Sequence, residues 1–217
     1  SYFREEMDID KVKNIITEIV NHQYKLISIT DKISKQNPPA PYITSTIQQD
    51  ASSKFGMSPS LTMSVLQKLY EKGKITYMRT DSTSISDDFL AKIKTYINSD
   101  FKGFLKVRQF KSKVSNAQEA HECIRPVNLV QLPEDSPINE IKLYNMITQR
   151  VIASQMKNYS EKNYTYTLES IKNKIHKFTF TLKHITDMGY KLLYNDQIND
   201  DTDLINEIVT GKIYTPI

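Results

Sequence analysis

The sequence predicts a mixed α+β chain in which a helical middle is inserted into a discontinuous β domain. Three observations carry this. Apolar residues recur every three to four positions through the middle of the chain, whereas both ends carry alternating or β-branched runs. The prolines Pro38, Pro39 and Pro41 form a stiff extended segment that no helix crosses. The expected organisation is a first β part over 1–40, a helical domain over 41–158 and a returning β part over 159–217.

Residues 10–21 read as a helix with Ile15, Ile16, Ile19 and Val20 as its apolar stripe, and Tyr24 to Ile33 as a strand. In the middle, Ile47, Ala51 and Phe55 recur every four residues and stop at Gly56. Ser58–Pro59 gives an N-cap and a first-turn proline, Leu61, Val65, Leu66 and Leu69 line one face, and Gly73 stops that helix. Ile75 to Thr80 then reads as a strand, so two short helices and a strand suggest a winged-helix-like unit. Ser86 caps a helix to about Ile97, and Pro137 precedes one carrying Ile141, Tyr144, Ile147 and Val151. Tyr164, Tyr166 and Leu168, then Phe178, Phe180 and Leu182, alternate with polar residues as strands do, and Gly189 turns the chain into Tyr190 to Tyr194. There are no repeats or low-complexity tracts.

Hydrophobic content of 39% and charged content of 25% are those of a globular protein. Lone Cys123 excludes an internal disulfide and fits either a reducing, intracellular compartment or a chance thiol. No apolar run reaches the roughly 18 residues that a membrane span needs, and no basic-then-apolar leader opens the chain. It begins at Ser1 and stops at Ile217 in strand-like text, which suggests an excised piece. The net charge of +4 is uneven: residues 41–130 hold 13 basic and 8 acidic side chains, out of 29 and 25 overall. The flanks are therefore nearly balanced, and the middle is the part suited to a polyanion.

The most informative string is ITYMRTDS, Ile75 to Ser82. Residues two apart on an extended backbone share a face, so Tyr77 and Arg79 face one ligand together, with Thr80, Asp81 and Ser82 beside them. A guanidinium favours the phenolate and matches phosphate through paired N–H donors. Together they suit attack on a phosphodiester.

Asn37 to Ser52 (NPPAPYITSTIQQDAS), Ile75 to Ser82, and Ala117 to Val127 (AQEAHECIRPV) together resemble, in order and spacing, the motifs of type IA DNA topoisomerases. The resemblance implies that Tyr77 is the nucleophile, forming a 5′-phosphotyrosine link to single-stranded DNA, and that Arg79 holds the scissile phosphate. It implies that His121 contacts the phosphate or relays a proton to the leaving oxygen. Arg125 lies four residues beyond, on one face with His121 if the stretch is helical, although Pro126 would end such a helix. Asp81 either orients Arg79 or is an ordinary turn residue. Glu119 and Glu122 orient a basic group or are solvated, and Cys123 stands where the family usually has a small residue such as alanine. Lys102, Lys106, Arg108, Lys111 and Lys113, interleaved with Phe104 and Phe110, form a second candidate DNA-binding run. A solvated loop is the equally weighted reading.

In the family the β parts form a gate or hinge, strand passage relaxes negative supercoils, and no ATP is used. Accordingly there is no phosphate-binding G-x-x-x-x-G-K-[ST] loop here. The implied partners are single-stranded and negatively supercoiled DNA and an N-terminal metal-binding domain of the same full-length protein. The Mg2+ of the complete enzyme is expected outside this chain, whose own expected activity alone is nil. Asp8–Asp10 and Asp201–Asp203 spell D-x-D but follow no buried strand, so no metal is assigned, and His22, His176 and His184 are read as structural. Two rivals differ in kind. Tyrosine recombinases and type IB topoisomerases place an Arg and an H-x-x-R before their tyrosine, whereas here the tyrosine comes first and His121 to Arg125 is one residue too long. A non-catalytic winged-helix DNA-binding module would use Tyr77 only for stacking.

Overall fold

The computed structural model describes residues 9–110, 122–194, 198–208 and 212–215. In chain order the elements are α1 (Ile9–Val20), β1 (Tyr24–Gln36), α2 (Thr44–Phe55), α3 (Pro59–Glu71), α4 (Asp87–Asp100), α5 (Ile138–Ser154), β2 (Tyr159–Ser170), β3 (Lys177–Asp187), a 3-10 helix (Gly189–Tyr194), α6 (Thr202–Glu207) and β4 (Ile213–Tyr214). The mixed α+β class is observed. The chain divides into two compact units, one of residues 1–35, 160–186 and 197–217, the other of residues 36–159 and 187–196.

The first unit carries a four-stranded sheet ordered β3-β2-β1-β4, with β1 and β4 antiparallel and Tyr24 opposite Tyr214. Tyr24 and Leu26 are buried on it. A hairpin joins β2 to β3, closed by the Ser170 amide on the His176 carbonyl at 2.9 Å. The α1 stripe finds no cover among the described residues: Ile15, Ile16 and Val20 stay exposed. Asp201 occupies the N-cap of α6, and its carboxylate accepts from the Lys183 amide at 2.9 Å.

The second unit is built round a helical core. Ile47 and Ala51 of α2, Leu66 and Leu69 of α3, and Leu143 and Ile147 of α5 are fully buried together with Ile75 and Ile124. Each such leucine or isoleucine contributes about 1.5–3 kcal/mol by leaving water. Local signals set the helix ends. Gly56 closes α2 at φ 66, a left-handed conformation that suits glycine, and Ser58 accepts from the Leu61 amide to start α3 behind Pro59. Ser86 is the N-cap of α4, but its hydroxyl makes no cap bond, because it faces Arg125 instead.

Two expectations fail. Ile75 to Thr80 is not a strand: only Ile75 forms a bridge, to Pro126, and bends follow. Each end of this stretch pairs with a different segment, so no continuous ladder forms, and the described residues contain no wing after α3. Similarly, Glu122 to Pro126 is extended and not helical, with bridges at Ile124 and Pro126. Pro126 disfavours the helical region for Arg125, and neighbouring chains take up its backbone groups.

Candidate active site

The described residues of the three motifs, for the third only Glu122 to Val127, meet round Tyr77 and Arg79 in the second unit. From below, the Thr76 amide donates to the Arg125 carbonyl at 2.9 Å, the Thr76 hydroxyl donates to the Cys123 carbonyl at 2.7 Å, and the Arg125 amide donates back to that hydroxyl at 2.9 Å. From above, Thr44 at the start of α2 clamps the other end. Its amide donates to the Thr80 carbonyl at 3.0 Å, and its hydroxyl donates to the Met78 carbonyl at 2.8 Å while accepting from the Thr80 amide at 2.9 Å. The stretch between these anchors alternates strictly. Met78, Thr80 and Ser82 are buried, whereas Tyr77, Arg79 and Asp81 are exposed. Without being a strand, the segment keeps the two-residue period that puts Tyr77 and Arg79 on one side.

Tyr77 is 49% exposed, and its ring packs edge to face on Tyr70 of α3, with centroids 5.2 Å apart. Such a pair is worth about 0.5–1.5 kcal/mol beyond its buried area and restricts the ring's orientation. Tyr70 went unnoticed in the sequence because it lies outside the stripe Leu61, Val65, Leu66 and Leu69; its only signal is an exposed aromatic in the last turn of the preceding helix. Arg79 has no ion-pair partner among the described residues, Asp81 included, so no Asp81 contact orients it. It lines a shallow cleft of about 450 Å³ with Ile43, Thr44, Ser45, Thr80 and Asp81. That cleft opens at the N-terminal end of α2, where the helix dipole and first-turn amides favour an anion. Ile43 itself offers no side-chain acceptor, and its amide donates to the Thr46 hydroxyl at 3.1 Å.

Thr80 and Ser82 face inward and scaffold the turn. Thr80 Oγ1 accepts from the Ser82 amide at 3.0 Å, and Ser82 Oγ accepts from the Ser84 amide at 3.2 Å. Arg125 also faces inward. It pairs with Glu122 at 2.5 Å and lies over the Phe89 ring of α4 at 4.2 Å, with its side chain 13% exposed. Burial pushes the Glu122 carboxyl up, but the Ser86 hydrogen bond and the Arg125 charge outweigh it and hold that carboxyl below its ordinary value. Burial raises the Cys123 thiol to about 12, partly opposed by Arg125, which makes it a packing residue. His121, Lys111 and Lys113 lie outside the described residues, as does Glu119.

The second basic run divides. Lys102 and Lys106 are exposed. The guanidinium of partly buried Arg108 donates to the Ser154 and Met156 carbonyls at the end of α5 and to Asn158. Burial lowers the pKa of Arg108 from its usual value. The described part of the run is tied down at two points: the Lys106 amide donates to the Gln155 carbonyl at 2.8 Å and the Lys157 amide to the Phe104 carbonyl at 2.7 Å.

A Mg2+ site needs several oxygen ligands in near-octahedral array. Asp81 is exposed near Tyr77, but among the described residues no group of three or more His, Cys, Asp or Glu ligand atoms gathers there. The one metal-type cluster among the described residues is Glu18, His22 and His176, in the first unit.

Comparison with known proteins supplies the family context. Residues 2–216 match the family model described as DNA topoisomerase. The chain is 38% identical over 218 residues to a DNA topoisomerase 1 of prokaryotic type from Acanthamoeba polyphaga mimivirus, covering 94% of this chain and 25% of that protein. It is 38% identical over 208 residues to DNA topoisomerase 1 of Helicobacter pylori strain J99, covering 89% and 28%. The solved structure of full-length topoisomerase I from Thermotoga maritima superposes with a TM-score of 0.78 at 29% identity, over 99% of this chain and 36% of that one. The chain thus spans about a quarter of the curated relatives that it matches.

Proposed function

Because this chain belongs to the type IA DNA topoisomerase family, we propose that it supplies the tyrosine-bearing part of a DNA strand-cleaving and rejoining enzyme. The observation that carries the proposal is the convergence of three motifs on a pinned segment that turns Tyr77 and Arg79 outward together. The Tyr77 phenolic oxygen attacks a backbone phosphorus of single-stranded DNA, and a phosphotyrosine ester forms as the neighbouring ester oxygen leaves with a proton. One ester replaces another, so the reverse step reseals the strand without ATP. Arg79 and the N-terminal end of α2 hold the phosphate and offset charge in the transition state. Removing one preorganised donor of this kind typically costs about 10²–10³ in rate. Thr80, Ser82 and Arg125 position the segment, and Asp81, on the Tyr77 face, meets the approaching strand.

His121 completes this reading as the phosphate contact or proton relay. Lys102, Lys106, Lys111 and Lys113 extend the DNA contact, whereas Arg108 braces the end of α5. The domain bounds 1–40, 41–158 and 159–217 are proposed as a gate that carries the helical domain between two β parts. Strand passage would relax negative supercoils within a DNA-containing compartment. An N-terminal domain of the same protein would hold the Mg2+. No described helix is long and apolar enough to cross a membrane.

The test is cleavage trapping with labelled single-stranded DNA, using full-length protein with magnesium and its Tyr77→Phe variant. A denaturation-resistant adduct is expected from the parent alone, with DNA binding kept by the variant. If both bind DNA and relaxation persists in the variant, Tyr77 is not the nucleophile.

A further inference from the structure

Within the first unit, three side chains distant in sequence bring metal-ligand atoms together. Glu18 lies in α1, His22 in the turn to β1, and His176 at the end of the hairpin before β3. Their ligand atoms all fall within 4.8 Å of one another. Glu18 Oε1 is 4.0 Å from His22 Nε2 and 3.4 Å from His176 Nε2. Both Nε2 atoms are buried and make no hydrogen bond among the described residues, and the His22 side chain is 1% exposed. A buried polar atom without a partner costs about 1–3 kcal/mol. Here two of them converge on one carboxylate.

We propose that Glu18, His22 and His176 form a binding site for a zinc-like divalent transition-metal ion, with water as the fourth ligand. Tetrahedral zinc with bonds of about 2.0–2.1 Å sets its ligand atoms roughly 3.3–3.4 Å apart. The His176–Glu18 gap already matches, and the His22–Glu18 gap closes with a shift of about half an ångström. Two imidazoles and one carboxylate form a ligand set that suits zinc and not the all-oxygen preference of Mg2+.

The surroundings hold the ligands as metal sites require. His22 Nδ1 lies 2.9 Å from the Ser170 hydroxyl; with Nδ1–H donating there, Nε2 presents its lone pair to the ion. The Asn173 amide donates to Glu18 Oε1 at 3.2 Å. The Ser170 amide is bonded to the His176 carbonyl, and the Ile171 amide to the Gln23 carbonyl at 3.0 Å, so hairpin and turn are tied beside the cluster. His22 also lines a surface cleft of about 520 Å³. Lys172 is the one Lys, Arg, Asp or Glu among the described residues lining that cleft, and its charge opposes binding. The bound ion would staple the end of α1 to the β2–β3 hairpin.

The test uses full-length protein stripped by chelator and titrated calorimetrically with Zn2+, with Co2+ absorbance reporting coordination geometry. Glu18→Gln and His176→Asn change a half-exposed carboxylate and a hairpin residue, and far-UV circular dichroism monitors their fold. Each is expected to remove one equivalent of tightly bound Zn2+ and the tetrahedral Co2+ bands belonging to it. Ser170→Ala should weaken that equivalent about 10- to 100-fold. Unchanged stoichiometry and affinity in Glu18→Gln and His176→Asn, whether the parent binds several ions or none, would overturn the proposal.

Discussion

Replacing Thr44 with valine tests how the reactive segment is held. The change keeps the side-chain shape but removes the hydroxyl that donates to the Met78 carbonyl at 2.8 Å and accepts from the Thr80 amide at 2.9 Å. Each hydrogen bond contributes about 0.5–1.5 kcal/mol net, and a buried amide left unpaired costs about 1–3 kcal/mol. Thr80 is 9% exposed, so water does not readily replace the lost acceptor. Because the Thr44 amide still holds the Thr80 carbonyl, we expect a loss of about 2–3 kcal/mol, confined to residues 78–80. Since about 1.4 kcal/mol corresponds to tenfold in an equilibrium constant, the Thr80 amide should exchange hydrogen roughly 30- to 160-fold faster. Thr44→Ser should restore most of that protection. In the full-length protein the valine variant should cleave single-stranded DNA more slowly while binding it nearly as well, because Arg79 stays charged but less fixed. Unchanged exchange at Thr80 would refute the clamp, and faster exchange with unchanged cleavage would refute its part in catalysis.

Three further outcomes are expected. The Glu122 carboxyl is held below its ordinary value in the folded chain, so its contribution to stability is present above that ordinary value and lost as pH falls through the lower folded one; urea midpoints against pH should show this, and Glu122→Gln should flatten it. Gly189→Ala should cost well over about 2 kcal/mol, because a Cβ there would lie 2.2 Å from the Asn158 carbonyl oxygen on backbone already at φ 50; a thermal melt within a degree or two of the parent would contradict this. The Cys123 thiol, buried and raised to about 12, should stay unreactive toward a thiol reagent at pH 8 until urea unfolds the chain, and prompt labelling in native buffer would show that the site opens.

Much of the helical architecture was legible because its signals are local. Ser58, Pro59 and Gly56 mark boundaries in the chain itself, and the stripes of α2 through α5 repeat at helical period. The conformation of Ile75 to Thr80 was not legible. Its partners, Thr44 and Cys123 to Val127, lie some 30 to 50 residues away, and they hold it extended without a ladder. The face shared by Tyr77 and Arg79 was nevertheless legible, since a two-residue period needs only extended backbone. Side-chain direction was harder to read. Arg108 was read as part of a DNA-binding run and Arg125 as sharing a face with His121, but the sequence does not show that one guanidinium engages carbonyls and the other Glu122 and Phe89. His22 and Glu18 are four apart and visible as a pair, but only the hairpin brings His176 to them.

The alternation between the Thr76 and Thr80 anchors also imposes a rule of parity. With both ends fixed, the side of the molecule that each intervening side chain faces depends on how many residues separate it from an anchor. Exchanging one amino acid for another there alters chemistry and leaves the count untouched. Inserting or deleting a single residue reverses the count, burying the phenol and extruding a methionine while every neighbouring residue type stays the same. The spacing Y-x-R is in this sense a measure of length as much as of composition, and which way each side chain faces should survive substitutions that any change of one in length would not allow.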